Sequence, residues 1–152
     1  MISLKYLIMK NDAAMKILNS LSKGASFEIG VENGERLFLV REKSGIAFFS
    51  SQNGINPDFS ITMSEDLVLK LFSEEASLLN VEDYLVFSAK LLAAEGKNNV
   101  QLTIYANFLK LTFHGYPKLI PLGGTSFLKV LKDNGVGSLF AIEKKLATFK
   151  NK

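Results

Sequence analysis

Between Pro57 and Phe72 the chain changes its hydrophobic period. Phe59, Ile61 and Met63 alternate with Ser60 and Thr62, which predicts a strand with one buried face. Ser64 then offers a hydroxyl to cap a helix, and Glu65 and Asp66 put negative charge at the positive end of its dipole. Leu67, Val68, Leu71 and Phe72 follow as one apolar stripe. The segment reads as a half-buried strand running straight into a capped amphipathic helix.

Upstream, Asn11 or Asp12 caps a first helix with Ala14, Met15, Leu18 and Leu21 on one face, ending near Lys23-Gly24. Phe27, Ile29 and Val31 alternate with polar or small residues as a strand. Glu32-Asn33-Gly34-Glu35 predicts a hairpin of type I′, since Asn-Gly tolerates two positive φ angles. The return strand is Arg36–Arg41, and Glu42-Lys43-Ser44-Gly45 turns into a third strand over Ile46–Ser50. With the strand at Phe59 this makes an antiparallel meander of four. Leu37-Phe38-Leu39-Val40 and Ile46-Ala47-Phe48-Phe49 are unbroken apolar runs, which predicts cover on both faces of the sheet.

Downstream, Ser73–Leu79 is a helical turn or a loop. Asn80 caps a stronger helix with Tyr84, Phe87, Ser88, Leu91 and Leu92 on its stripe and Gly96 as its C-terminal stop. Val100, Leu102 and Ile104 alternate as a strand, and so do Leu109, Leu111 and Phe113. The spacing leaves open whether 100–114 is one bent strand or a hairpin. Thr125 caps a last core helix carrying Phe127, Leu128 and Leu131, stopped at Asn134-Gly135. From 138 to 152, Leu139, Ile142, Leu146 and Phe149 share one helical face beside four lysines. A docked terminal helix is the expectation there; a basic helix on an anionic membrane surface and a frayed end are the alternatives.

Composition narrows the class. The 152 residues fit one domain, with a core over about 11–135 and the amphipathic tail after it. Twelve Phe stand beside no Trp and no Cys, and the mean hydropathy of +0.17 is high for a chain of this size. Either the core is unusually complete or apolar surface lines a cavity or meets a partner. The absence of Cys removes thiolate metal sites, iron–sulfur clusters and thiol nucleophiles. A net charge of +3 with scattered lysines gives no nucleic-acid footprint. The apolar patch at Tyr6–Met9 is too short for a signal peptide or a membrane span, so a cytoplasmic location is expected.

Catalytic chemistry finds little to stand on. His114 is the single histidine, and the paired acids Glu65-Asp66, Glu74-Glu75 and Glu82-Asp83 all lie at predicted helix starts, where the dipole accounts for them. No phosphate loop, dinucleotide fingerprint or nucleophile elbow occurs; Gly135-Val136-Gly137 follows a helix and reads as its terminus. No metal and no cofactor is expected, and the chain reads as a protein other than an enzyme.

Three stretches carry a family resemblance. They are the strand–turn–strand of Phe27–Ser50, the strand-to-helix entry Thr62-Met63-Ser64-Glu65-Asp66, and Leu109–Leu122 with its glycine and following apolar segment. Together they resemble the sterol carrier protein type-two domain, a lipid-binding family. The chain departs from that pattern in a longer Val81–Ile104 region and in a C-terminus reading Lys-Asn-Lys rather than a peroxisomal address. The resemblance implies an α+β fold, with about five mainly antiparallel strands and helices packed on one face. It also implies non-catalytic binding of a lipid or other apolar small molecule between sheet and helices, driven by desolvation at about 0.8 kcal/mol per buried CH₂. The inward positions expected to line such a cavity are Ile29, Leu39, Phe48, Ile61, Phe72, Phe87, Leu91, Leu111 and Phe113.

Two rival readings stay open. One is an interaction or homodimerisation module with a collapsed cavity, whose cue is the pair of doubly apolar strands. The other is an accessory domain of an enzyme, whose cues are His114, Tyr116 and the paired acids.

Overall fold

Two turns and one crossover decide the topology. The computed structural model describes residues 3–50 and 56–133. After two short helices, α1 (Leu4–Met9) and α2 (Asp12–Ser20), come β1 (Ser26–Val31), β2 (Arg36–Glu42) and β3 (Gly45–Phe49), joined by tight turns as antiparallel neighbours. The first turn closes through Gly34 N–H to the Val31 carbonyl at 2.9 Å, with Asn33 alone at positive φ (57°). It is therefore not the type I′ turn expected at Asn33-Gly34, which needs two such residues.

The fourth strand corrects the meander. β4 (Phe59–Met63) crosses back and lies parallel to β1, pairing Phe27 with Phe59, Ile29 with Ile61 and Val31 with Met63. Nine residues separate β3 from β4 in the sequence, more than a hairpin turn needs, so the spacing does not force the two strands to pair. At the edge of β1 the rings of Phe27 and Phe59 stack, centroids 5.0 Å apart. β5 (Val100–Ile104) closes the sheet antiparallel to β4, giving the order β3-β2-β1-β4-β5, a mixed sheet within an α+β fold.

Ser64 caps α3 (Glu65–Leu71), accepting from Leu67 N–H, and α4 (Glu74–Ser77) is a single turn capped by Ser73. Asn80 caps α5 (Val81–Asn99) through Asp83 N–H at 2.8 Å. This helix runs through Gly96, the expected stop, to Asn99. There its last carbonyl accepts from Ser64 N–H at 3.0 Å and the chain enters β5 directly.

A larger correction follows β5. Leu109, Leu111 and Phe113 do not alternate along a strand; they lie on α6 (Phe108–Phe113), so 100–114 is one strand and then a helix. The Asn107 side chain accepts from Lys110 N–H at 2.8 Å and nucleates that turn. Over six residues the pattern also fits a helical face made by Phe108 and Leu111, three apart. A 3₁₀ turn (Tyr116–Lys118), α7 (Leu119–Leu122) and α8 (Gly124–Asp133) complete the described chain. The stop at Asn134-Gly135 and the 138–152 helix lie outside the described residues.

The helices build the core on one face of the sheet, against Phe27, Ile29, Leu37, Leu39 and Met63. On the opposite face Glu28, Arg36 and Ser60 form a polar cluster, with Arg36 donating to Glu28. Beside it Phe38 and Phe49 meet at 6.5 Å, and neither belongs to the apolar clusters beneath the helices.

Candidate functional site

The helical face of β4 and β5 is covered less tightly than the rest of the sheet. Phe59, Ile61, Leu102 and Ile104 form the floor of a recess of about 390 Å³. Phe108 and Leu111 of α6, Tyr116 and Pro117 of the 3₁₀ turn, Leu119 and Ile120 of α7, and Phe127 and Leu131 of α8 form its walls and roof. A volume of this size falls within the usual range of small-molecule pockets. Tyr116 supplies the one side-chain polar atom of this lining, and its ring meets Phe59 edge-on at 5.6 Å.

One carboxylate fastens that roof to the sheet. Asp58, completely buried just before β4, gathers three partners on Oδ2: Ser26 N–H at 3.1 Å, the Tyr116 hydroxyl at 2.9 Å and His114 Nδ1 at 2.6 Å. Its backbone adds more, donating to the Ser26 carbonyl and accepting from Tyr105 and Ala106 N–H. Burial first, and then the neighbouring Asp58 carboxylate that accepts its hydrogen bond, push the Tyr116 phenol well above its ordinary range. Tyr116 therefore stays protonated and donates. His114 Nδ1 lies against the same oxygen, and its Nε2 turns toward Gly24. Gly115, between the two partners, sits at φ 88°, where a Cβ would come within 3.1 Å of Ser22 N and Oγ.

The nine expected lining positions separate into four groups. Ile61 and Leu111 do line the recess. Ile29, Leu39 and Phe72 are packed in the core beneath the helices, and Phe48 packs against the edge of that core with the Lys5 ammonium 5.6 Å above its ring. Phe87 and Leu91 border a separate, partly polar depression beside α3 and α4. Phe113 is the correction: it is not an inward strand position but an exposed residue of α6, 72% accessible, because the helix turns it away from Leu111.

Sequence reasoning missed Asp58 and most of the roof. Asp58 carried a signal only as an acidic residue between Pro57 and an alternating strand, and nothing local pairs it with His114, 56 positions away. Among the described residues no group of three or more His, Asp or Glu side chains is arranged to hold a metal ion. Nor is any described helix long and apolar enough to cross a membrane.

No protein-family model and no curated protein matches the chain. Among solved structures it is similar to one described as "UbiJ-SCP2 Ubiquinone synthesis protein", at 12% identity over 81% of this chain and 88% of that one, with a TM-score of 0.41. Neither ligand nor activity passes across that similarity.

Proposed function

We propose that the chain binds a lipid or other apolar small molecule in the recess between β4–β5 and α6–α8, without catalysing a reaction on it. The observation that carries this reading is the lining itself. Twelve side chains from β4, β5, α6, the 3₁₀ turn, α7 and α8 converge on about 390 Å³, and the one side-chain polar atom among them is already engaged by Asp58. A wall of this kind offers a ligand desolvation, at about 0.8 kcal/mol per buried CH₂, and little directional bonding. His114 and Tyr116, the cues for an enzyme, are used in holding the roof to the sheet.

The test is extraction of the purified protein with organic solvent and mass spectrometry, together with titration of a fluorescent fatty acid. The expected result is a saturable site that Ile120→Ser weakens. A parent protein that neither carries an apolar molecule nor saturates with the probe would overturn the reading.

A further inference from the structure

The three helices that wall the recess also carry apolar side chains outward. On α6, Leu111 points in while Leu109 and Phe113, four apart on one face, are 64% and 72% accessible. On α7, Leu119 and Ile120 line the recess and Leu122 is 38% accessible; on α8, Phe127 and Leu131 line it and Leu128 is 40% accessible. An ordinary surface helix puts polar residues at such positions. Five of the nine exposed large apolar residues among the described residues, counting Tyr105, fall within 105–128.

The charge of the same stretch is one-sided. From 105 to 133, the end of α8, there are four lysines, Lys110, Lys118, Lys129 and Lys132, against one acid, Asp133, a sum of +3 that equals the net charge of the whole chain. All four are exposed. The ion pairs among the described residues are Arg36–Glu28, Lys70–Glu95 and His114–Asp58, so none of these lysines is neutralised by one. Lys118 donates to a neutral partner, Ser22 Oγ, at 3.0 Å. Glu82 of α5 comes against Gly124 at the head of α8, well before Lys129 and Lys132 along that helix.

We propose that the outer surface of α6–α8 docks on an anionic lipid bilayer, with Leu109, Phe113, Leu122 and Leu128 entering the interface and the four lysines set against the lipid headgroups. Exposed apolar side chains give insertion depth, and unpaired lysines give attraction to negative lipid; neither feature alone selects a bilayer, and together they match its two layers. A protein partner burying the same leucines would have to supply acids for all four lysines. The docked surface is the outer side of the recess roof, so docking would bring the recess against the membrane. Leu109, Phe113, Leu122 and Leu128 lie outside the recess lining, so docking does not depend on whether the recess takes a ligand.

Sedimentation of the full chain with vesicles tests it. Vesicles of phosphatidylcholine with phosphatidylserine at roughly one part in four are expected to bind the protein at least about tenfold better than phosphatidylcholine alone. That preference should fade as salt shortens the screening length from about 8 Å at physiological ionic strength to about 3 Å at 1 M. Lys110→Glu with Lys129→Glu should lower binding by about tenfold or more, and Leu109→Ser with Phe113→Ser should lower it on both vesicle types. All four positions are exposed, so unchanged melting by circular dichroism should confirm folding. Uptake of a fluorescent fatty acid in the absence of vesicles should be unchanged in both variants, which separates failure of docking from failure of the recess. Equal binding to the two vesicle types would overturn the proposal. So would full binding by both variants, which would place the contact elsewhere on the chain. A parent dimer that the Leu109→Ser, Phe113→Ser variant dissolves would assign the surface to a second copy instead.

Discussion

His114 Nδ1 lies 2.6 Å from Asp58 Oδ2, and this contact joins the end of α6 to the start of β4 across 56 residues of sequence. Asp58 itself is completely buried, and a buried carboxylate is tolerable only with several donors around it. Oδ2 has its partners in Ser26, Tyr116 and His114, while Oδ1 finds none among the described residues. Two of the three partners belong to the segment that roofs the recess, so one side chain couples sheet integrity to roof position.

Asp58→Ala is expected to cost about 3 kcal/mol or more, because it strands the Ser26 N–H in the interior and leaves the Tyr116 hydroxyl only the Ser26 carbonyl, at 3.4 Å. Asp58→Asn, which keeps an acceptor oxygen, should cost less. His114→Ala should cost about 1 kcal/mol, the usual net worth of a hydrogen bond. Urea unfolding of the three variants gives the order; equal losses from Asp58→Asn and Asp58→Ala would show that hydrogen bonding is not what Asp58 supplies.

At the junction of β4 and α3, Ser64 accepts from Leu67 N–H at 3.3 Å with the extended backbone of an N-cap (φ −63°, ψ 152°). Ser64→Ala should therefore lower stability by about 1 kcal/mol, whereas Ser64→Asp, an equally good cap beside the helix dipole, should change it little. Matching losses from the two changes in urea would mean that the hydroxyl contributes through some other contact.

Much of the fold was legible in the sequence wherever a periodic pattern met a punctuating residue. The Ser64 cap, the Asn80 cap and the β1–β2–β3 hairpins all have both, and all form, the first through a turn other than the expected type I′. The parallel pairing of β1 with β4 was not legible, since strand direction in a sheet is fixed by which edge buries Phe59 and not by any local residue. The α6 segment failed for a different reason: six residues satisfy a period of two and of 3.6 about equally, and the Asn107 cap decides between them. The site was legible only in part. Ile61 and Leu111 could be found as inward positions, but Leu119, Ile120 and Leu131 become a roof only once Asp58 fixes the turn at His114–Tyr116.

Phe72 and Ile120 separate core from recess. Phe72 sits in the packed cluster beneath the helices and Ile120 on the recess wall. Phe72→Ser is expected to cost about 3–5 kcal/mol, because the truncated ring leaves a void that dense surroundings cannot fill. Ile120→Ser should cost less, since one side of that residue faces the recess. It should weaken uptake of a fluorescent fatty acid, while Phe72→Ser should affect uptake only through loss of folded protein. Comparison at a temperature where both remain folded checks this, and a larger stability loss at Ile120 would mean the recess is closed in solution.

Acid sensitivity should register at Glu28. The Arg36 guanidinium that donates to it, followed by the Ser60 hydroxyl, holds its carboxyl below the ordinary value of 4.5 despite partial burial. A carboxylate with a lowered folded-state pKa stabilises the protein above its unfolded value and loses that contribution as pH falls through the folded one. The stability difference between the parent and Glu28→Gln should thus be constant above about pH 4.5 and shrink below it. Arg36 is well exposed, so the difference should not exceed about 1 kcal/mol. Urea midpoints measured from neutral to acid pH give the curve; a difference that grows on acidification would have the wrong sign for this pair.

Tyr84 predicts the opposite edge of the pH range. Burial raises its phenol from 10.0 to about 12, and its hydroxyl donates to the Leu71 carbonyl at 2.9 Å, tying α5 to the end of α3. Because the folded-state pKa is the higher one, the stabilisation is complete below pH 10 and is lost as pH rises from 10 toward about 12. Tyr84→Phe removes both the hydrogen bond and the titration. It should cost about 1 kcal/mol at neutral pH and leave the Leu71 carbonyl short of a partner. Between pH 10 and 12 that deficit should narrow, since the parent alone must then keep a phenol protonated in an apolar site. Parallel urea titrations of the two proteins decide it, and a deficit that stays constant across the alkaline range would mean that Tyr84 reaches solvent when it ionises.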